Sequence, residues 1–379
     1  MGEGSEGESP LIETKYLQAI TLLFTLIFLL LAAFPVYGQE TPPVIGTENI
    51  TRLQPVERIN FADLPADAGR VESGWFAVSA DGRQYALLNR DNGIMLWDFA
   101  QGGYVTTSLE ACGDQPGAFV DGSFDRDGRY FIAVYLAGAD SYIVYHAPDE
   151  SRSAAPTICD LPASPLRVWP GESGRAWLEF FPNDPLFAPS VGLLTPGAAW
   201  DAAALIPSGP ENDAESFIRI GRIEPPLAIT VTRDGLVKRW NLQTGEVTAA
   251  AQLDILPGIG QVNYGDNEAG RYFAWVDGPA AALNVLDFET GANRSITSLN
   301  GKSVPFLWLT PGADIVIGVN VESKSAVTAW DTATGQRYDL GEYRPCSRPP
   351  DMVRLSRNGT TLVIGCDTGL DIWRVGENQ

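Results

Sequence analysis

Among the residues able to do chemistry, the single histidine decides most. His146 ends the run Tyr142-Ile143-Val144-Tyr145, and no Ser or Cys stands in a recognisable nucleophile elbow. A Ser–His–Asp triad therefore has no support, and a packed or surface imidazole is expected. With one His and four cysteines (Cys112, Cys159, Cys346 and Cys366), none of them in a CxxC pair, the chain lacks the ligand set of a zinc site. Asp125-Arg126-Asp127-Gly128 opens like a calcium loop but lacks the later ligands and the closing Glu, so it reads as a turn. No catalytic residue, metal or cofactor is implied. Contact chemistry gathers instead in two proline-bearing insertions, residues 181–189 and 207–216. These offer Phe181, Asn183, Asp184, Phe187, Glu211 and Asp213 as candidate binding residues. Aromatic rings on proline-stiffened loops make contacts at low entropic cost.

These side chains need a scaffold, and the sequence supplies it as a repeat. Its clearest copy runs Phe76-Ala77-Val78-Ser79-Ala80-Asp81-Gly82-Arg83, Tyr85-Ala86-Leu87-Leu88, Asp91-Asn92-Gly93 and Ile94-Met95-Leu96-Trp97-Asp98. Short apolar runs separated by Gly-bearing turns read as a β-meander. The unit returns at Asp125–Tyr145, in worn form at Leu166–Leu178, and then at Leu227–Gly245, Ala269–Gly291, Pro311–Gly335 and Leu355–Trp373. The turn glycines recur every 42 to 51 residues or so, the period of four-stranded blades. Helical solenoids share that period, but these runs are too short and too β-branched or aromatic for helices. The 39 glycines and 27 prolines suit a fold of many tight turns. The formal charge of −21 disfavours partners with phosphate backbones, so nucleic acid is not expected.

Ser79-Ala80-Asp81-Gly82 with Leu96-Trp97-Asp98, Ala329-Trp330-Asp331, and Ser356-Arg357-Asn358-Gly359 with Ile372-Trp373 resemble WD40 repeats. The resemblance covers most of residues 70–375. It implies an all-β propeller of seven four-stranded blades. The Gly-His pair of that family is missing, since His146 aligns with Asp98, so a degenerate WD40 relative or a quinoprotein-like (YVTN-type) propeller is implied. The resemblance also implies a closing strand at 49–59 completing the last blade. With the strands of a blade lettered a to d from the channel outward, the b–c and d–a loops share one face, called the top. Both insertions and all four cysteines map there. The pairing 112–159 with 346–366 is expected among three possibilities, with free buried thiols as the alternative.

Ahead of the repeat, residues 17–36 form an uncharged stretch long enough to cross a bilayer as a helix. Val36-Tyr37-Gly38 would allow cleavage before Gln39, so residues 1–38 read as a short flank plus a signal peptide or retained anchor. Residues 39–48 read as a linker and 49–379 as one propeller domain. Either reading of the N-terminus puts the propeller outside the cytoplasm: secreted, periplasmic or at the cell surface. Asn49, Asn293 and Asn358 lie in glycosylation sequons. The expected function is a monomeric, non-catalytic scaffold that binds a protein or peptide through its top-face loops. A quinone-cofactor or lyase/hydrolase propeller would need charged side chains from several inner strands, which offer Arg167 and Arg354. A glycan-binding propeller would need exposed aromatics beside amides.

Overall fold

Among the described residues, the repeated strand–turn–strand pattern folds, in a computed structural model, into seven small antiparallel sheets. The structure describes residues 42–376 except 65–70, 90–92, 99–102, 108–116, 138–139, 148–156, 160, 162–164, 181–189, 196–215, 224–225, 233, 254–263, 267–270, 278–281, 300–303, 305, 320–325, 344–349 and 351. The chain divides into two units, Met1–Pro42 and Pro43–Gln379, and the fold below is that of the second.

The first strand among the described residues, β1 (Leu53–Asn60), belongs to the last sheet. Sheet one holds β2 (Val71–Val78), β3 (Gln84–Asn89), β4 (Ile94–Asp98) and β5 (Gly103–Thr107). Sheet two holds β6 (Ala118–Phe124), β7 (Phe131–Ala137), β8 (Asp140–His146) and β9 (Thr157–Ile158). Sheet three has β10 (Pro165–Pro170), β11 (Ala176–Phe180) and β12 (Ser190–Leu194). Sheet four is β13 (Ser216–Ile223), β14 (Pro226–Val231), β15 (Leu236–Asn241) and β16 (Glu246–Gln252). Sheet five is β17 (Tyr264–Asp266), β18 (Tyr272–Asp277), β19 (Ala282–Asp287) and β20 (Ala292–Ser298). Sheet six is β21 (Phe306–Leu309), β22 (Ile315–Val319), β23 (Ala326–Asp331) and β24 (Arg337–Glu342). Sheet seven is β25 (Met352–Leu355), β26 (Thr361–Cys366) and β27 (Gly369–Val375), with β1 at its outer edge. The expected four strands are thus present in six sheets. The third shows three among the described residues, which do not include 196–215.

The first strand of each sheet lies innermost: β2 packs against β25 and β6, β6 against β10, β10 against β13, and β21 against β17 and β25. The second strand of each sheet makes the core. Successive side chains on a strand point to opposite faces, and here each face meets a neighbouring sheet. Ala86 packs toward sheet two and Leu87 toward sheet seven; Ala133 packs toward sheet one and Ile132 toward sheet three. Leu178 and Trp177, Ile229 and Ala228, Phe273 and Ala274, Ile317 and Val316, and Val363 and Leu362 divide in the same way. Each neighbouring pair of sheets, including seven and one, therefore shares an apolar cluster. Burial on both faces is why these strands read as unbroken apolar runs.

Side-chain oxygens fix the turns. Ser79 Oγ accepts the backbone N–H groups of Arg83 and Gln84 at 3.2 and 2.9 Å. Ser356 Oγ does the same for Thr360 and Thr361 at 3.2 and 2.9 Å. Thr232 and Thr310 each hold one such N–H, from Leu236 and Ile315. Asp125 Oδ1 takes the same place in sheet two, accepting from Arg129 and Tyr130. Gly82 closes the first of these turns at φ +73°, a conformation that suits a residue without Cβ. Between the third and fourth strands, Asn241, Asp287 and Asp331 accept N–H groups from two or three residues onward. The residue that ends each of these third strands therefore caps its own turn, and in Trp330-Asp331 that residue is the acid after Trp.

Closure joins the two ends of the propeller. β1 runs antiparallel to β27, with Leu53 opposite Val375 and Asn60 opposite Gly369. The segment before it departs from the linker expected over 39–48. Ile45 is buried and its N–H donates to Gly359 O at 2.9 Å, while the Thr47 N–H and hydroxyl both donate to Asp314 Oδ2. Two short 3-10 turns, Ile50–Arg52 and Phe61–Asp63, flank β1. Among the described residues no helix is long and apolar enough to cross a membrane, and the stretch 17–36 lies outside them.

Candidate functional site

Two places on the ring carry charge of a kind that could recognise something. The first is the channel lined by the innermost strands. Asp121, on β6, accepts the Trp75 Nε1–H from sheet one at 3.3 Å and the Val168 N–H from sheet three at 2.9 Å. One carboxylate thus ties three sheets. Arg354, on β25, lies over the Trp308 ring at 5.9 Å to its centroid. Trp169 Nε1–H donates to Glu179 at 3.1 Å. Asp121 and Arg354 are half-buried, because the channel leaves space beside them while protein surrounds them.

That enclosure displaces their titration. Burial raises the Asp121 carboxyl above its usual range, against the opposing pull of the Val168 and Gly122 N–H groups, Arg354 and Trp75. Burial lowers Arg354; Asp121 opposes this and the like charge of Arg167 adds to it. Glu179 is raised by burial, with Arg167 and Trp169 pulling the other way. Asp121 and Arg354 act first as links between neighbouring inner strands, and Glu179 holds Trp169 within sheet three.

The second place is a cavity of about 280 Å³ on the face that carries the first-to-second-strand turns. Its walls are residues 80–81 from sheet one, 126–128 from sheet two and 357–358 from sheet seven. A backbone bond from Asn358 N–H to Ala80 O, 3.0 Å long, joins sheets seven and one. Arg126 N–H donates to Gly171 O at 2.7 Å, and Asp125 Oδ2 accepts the Gly174 N–H at 2.9 Å, joining sheets two and three. Arg357 reaches past sheets one and two to donate to Pro170 O of sheet three at 3.3 Å. It therefore crosses the channel mouth.

The residues singled out by sequence fall unevenly. Phe181, Asn183, Asp184, Phe187, Glu211, Asp213, Cys112 and Cys346 lie outside the described residues. The strand ends bracketing residues 181–189 are described: Phe180 pairs with Pro165 and Ser190, on the face opposite the turns. Cys159, just after β9, and Cys366, at the end of β26, are both disulfide-bonded. Free thiols are thus the wrong alternative for these two. His146 is buried, stacked on Phe131 with centroids 6.2 Å apart, and burial lowers its pKa to about 4. Such an imidazole is a packing group. Arg167 is exposed on β10, as an inner-strand charge should be.

Sequence reasoning missed Asp121 and Glu179, whose roles depend on distant partners. It also missed the cavity arginines, although a signal existed. Arg357, Ala80 and Arg126 each follow the residue that caps the same turn in three consecutive sheets.

In fold the chain is similar to the β-propeller domain of Cps50 (Swd1) from Myceliophteria thermophila. The TM-score is 0.58 at 13% identity, over 86% of this chain and 100% of that one. No family model matches the chain, and no curated protein matches it. The likeness is one of architecture: an all-β, WD40-type propeller.

Proposed function

We propose that this propeller is a non-catalytic scaffold outside the cytoplasm, which engages a protein or peptide partner through the loops opposite its turn face. The observation that carries this reading is the use made of the ring's buried polar groups. Asp121 holds three sheets, Asp125 caps one turn and grips the next, and His146 is packed against Phe131. Groups that a reaction would need free to move are committed to architecture. The enzyme reading would draw on Arg167, Arg354 and Asp121, yet both oxygens of that acid already accept N–H groups. Disulfide-bonded Cys159 and Cys366 fit an oxidising compartment, as does an uncharged stretch at 17–36.

The test is affinity capture with the full chain, followed by repetition with Phe181→Ala/Phe187→Ala. A partner that binds the native chain reproducibly and is lost with the double substitution, at unchanged melting temperature, is the expected result. Retention of every partner by the double variant would sink the assignment to these loops. Protease treatment of intact cells checks the compartment: the propeller is expected to be digested, and full protection would contradict an outward location.

A further inference from the structure

We propose that, of the three sequon asparagines, Asn293 is the acceptor of an N-linked glycan. The proposal rests on the reading that the propeller lies outside the cytoplasm, where lipid-diphosphate-linked oligosaccharide serves as sugar donor. Asn49, Asn293 and Asn358 share the Asn-x-Ser/Thr pattern, yet the fold treats the three differently.

Asn49 is only 3% exposed. Its Nδ2–H donates to Val44 O at 2.8 Å, and its Oδ1 accepts the Gly46 N–H at 2.9 Å. Those bonds shape the segment whose Ile45 and Thr47 dock on the turns of sheets seven and six. A sugar on that nitrogen would undo them. Asn358 is half-buried in the turn of sheet seven. Its Oδ1 accepts the Ser356 hydroxyl at 2.8 Å, and the Thr360 N–H and hydroxyl at 3.1 and 2.8 Å. Its amide is therefore engaged within its own turn.

Asn293 has none of these ties. It lies on β20, the outermost strand of sheet five, opposite Leu286 of β19. The residue is exposed, as are Ala292, Arg294 and Ser295 beside it. Among the described residues its amide takes part in no hydrogen bond. A Cβ placed on Gly291, two residues earlier, would meet nothing within 4 Å, so the space there is open. In the transfer, the amide nitrogen bonds to C1 of the first sugar as the C1–O bond to the lipid diphosphate breaks. The diphosphate leaves with that electron pair, and the amide gives up one proton. A glycan here stands on the rim, away from the loops assigned to the partner. It also screens a strand edge that no described residue pairs, where another chain could add.

Cell-free translation of the full chain with endoplasmic-reticulum microsomes tests the proposal. The propeller is expected to become protected from added protease and to carry a glycan that peptide N-glycosidase removes. Peptide mapping should then find Asn293 converted to Asp, with Asn49 and Asn358 unchanged. Asn293→Gln should abolish the glycan at an unchanged melting temperature, so that its loss reports the site and not misfolding. A protected chain with Asn293 unmodified, or with Asn49 or Asn358 modified in its place, would overturn this proposal alone. A propeller left open to protease would overturn the compartment reading and this proposal with it.

Discussion

The seam of the ring and its second and third sheets solve one problem, a buried ionisable group, in different ways. At the seam, Arg58 on β1 meets Asp371 on β27 at 2.9 Å, with the Asp371 side chain fully buried. The same guanidinium donates to Thr368 Oγ1 at 2.6 Å, and Trp373, on the same strand as Asp371, is fully buried. Sheets two and three bury His146, Asp125 and Glu179 among apolar packing and N–H donors, and burial displaces the titration of each. The seam thus carries a neutralised cross-link where chain ends must be held. The other region carries groups whose charge state moves with pH. Paired burial resists a change of conditions, and burial of lone groups registers it.

Deleting residues 45–60 attacks the seam hardest, removing β1 and the docked segment ahead of it. A fall in melting temperature of roughly 10 °C or more is expected, with faster amide exchange across residues 361–375. An unchanged melting curve would mean that the ring closes without β1. Next in size is Arg58→Ala, which leaves Asp371 buried without its cation and should cost about 3–5 kcal/mol in denaturant unfolding. Arg337→Ala is the control: its pair with Asp339 is 45% and 71% exposed, and the loss should stay below about 1 kcal/mol. Equal losses in the two variants would erase the distinction drawn for the seam.

The remaining effect belongs to the other region and depends on pH. His146 is neutral in the fold with a pKa of about 4, against 6.5 for the unfolded chain. The unfolded state therefore takes up the proton first, and stability present above pH 6.5 is lost as pH falls toward 4. His146→Phe preserves stacking on Phe131 and removes this term. Relative to that variant, the native chain should lose up to about 3 kcal/mol across the window, read from unfolding curves at each pH. Parallel curves would show that His146 does not sense acid.

Much of the architecture could be read because it is written locally. Ser79-Ala80-Asp81-Gly82 holds the cap, the turn and the positive φ within four residues, and the apolar runs of the second strands announce burial on both faces. What escaped was nonlocal. Pro42-Pro43-Val44-Ile45-Gly46 has the composition of a linker, yet Thr47 is held by Asp314, 267 residues away. Asp121 sits before Gly122-Ser123 and looks like a turn acid, while its donors stand 46 and 47 residues to either side. The Arg–Ala–Arg series required superposing three repeats rather than reading along one. The loop residues Phe181 and Phe187 remain a matter for the capture experiment.

The pairing of β1 with β27 also makes ring closure a check that synthesis has passed β27. The ribosome makes β1 more than three hundred residues before the strand beside it. Until Gly369–Val375 exists, β1 presents an unsatisfied edge and the apolar surface between sheets seven and one stays open. A chain stopped short, even by one strand, cannot conceal that edge. Products that stop before β27 would therefore expose what a quality-control protease or chaperone recognises, and only a chain that reaches Val375 closes the ring.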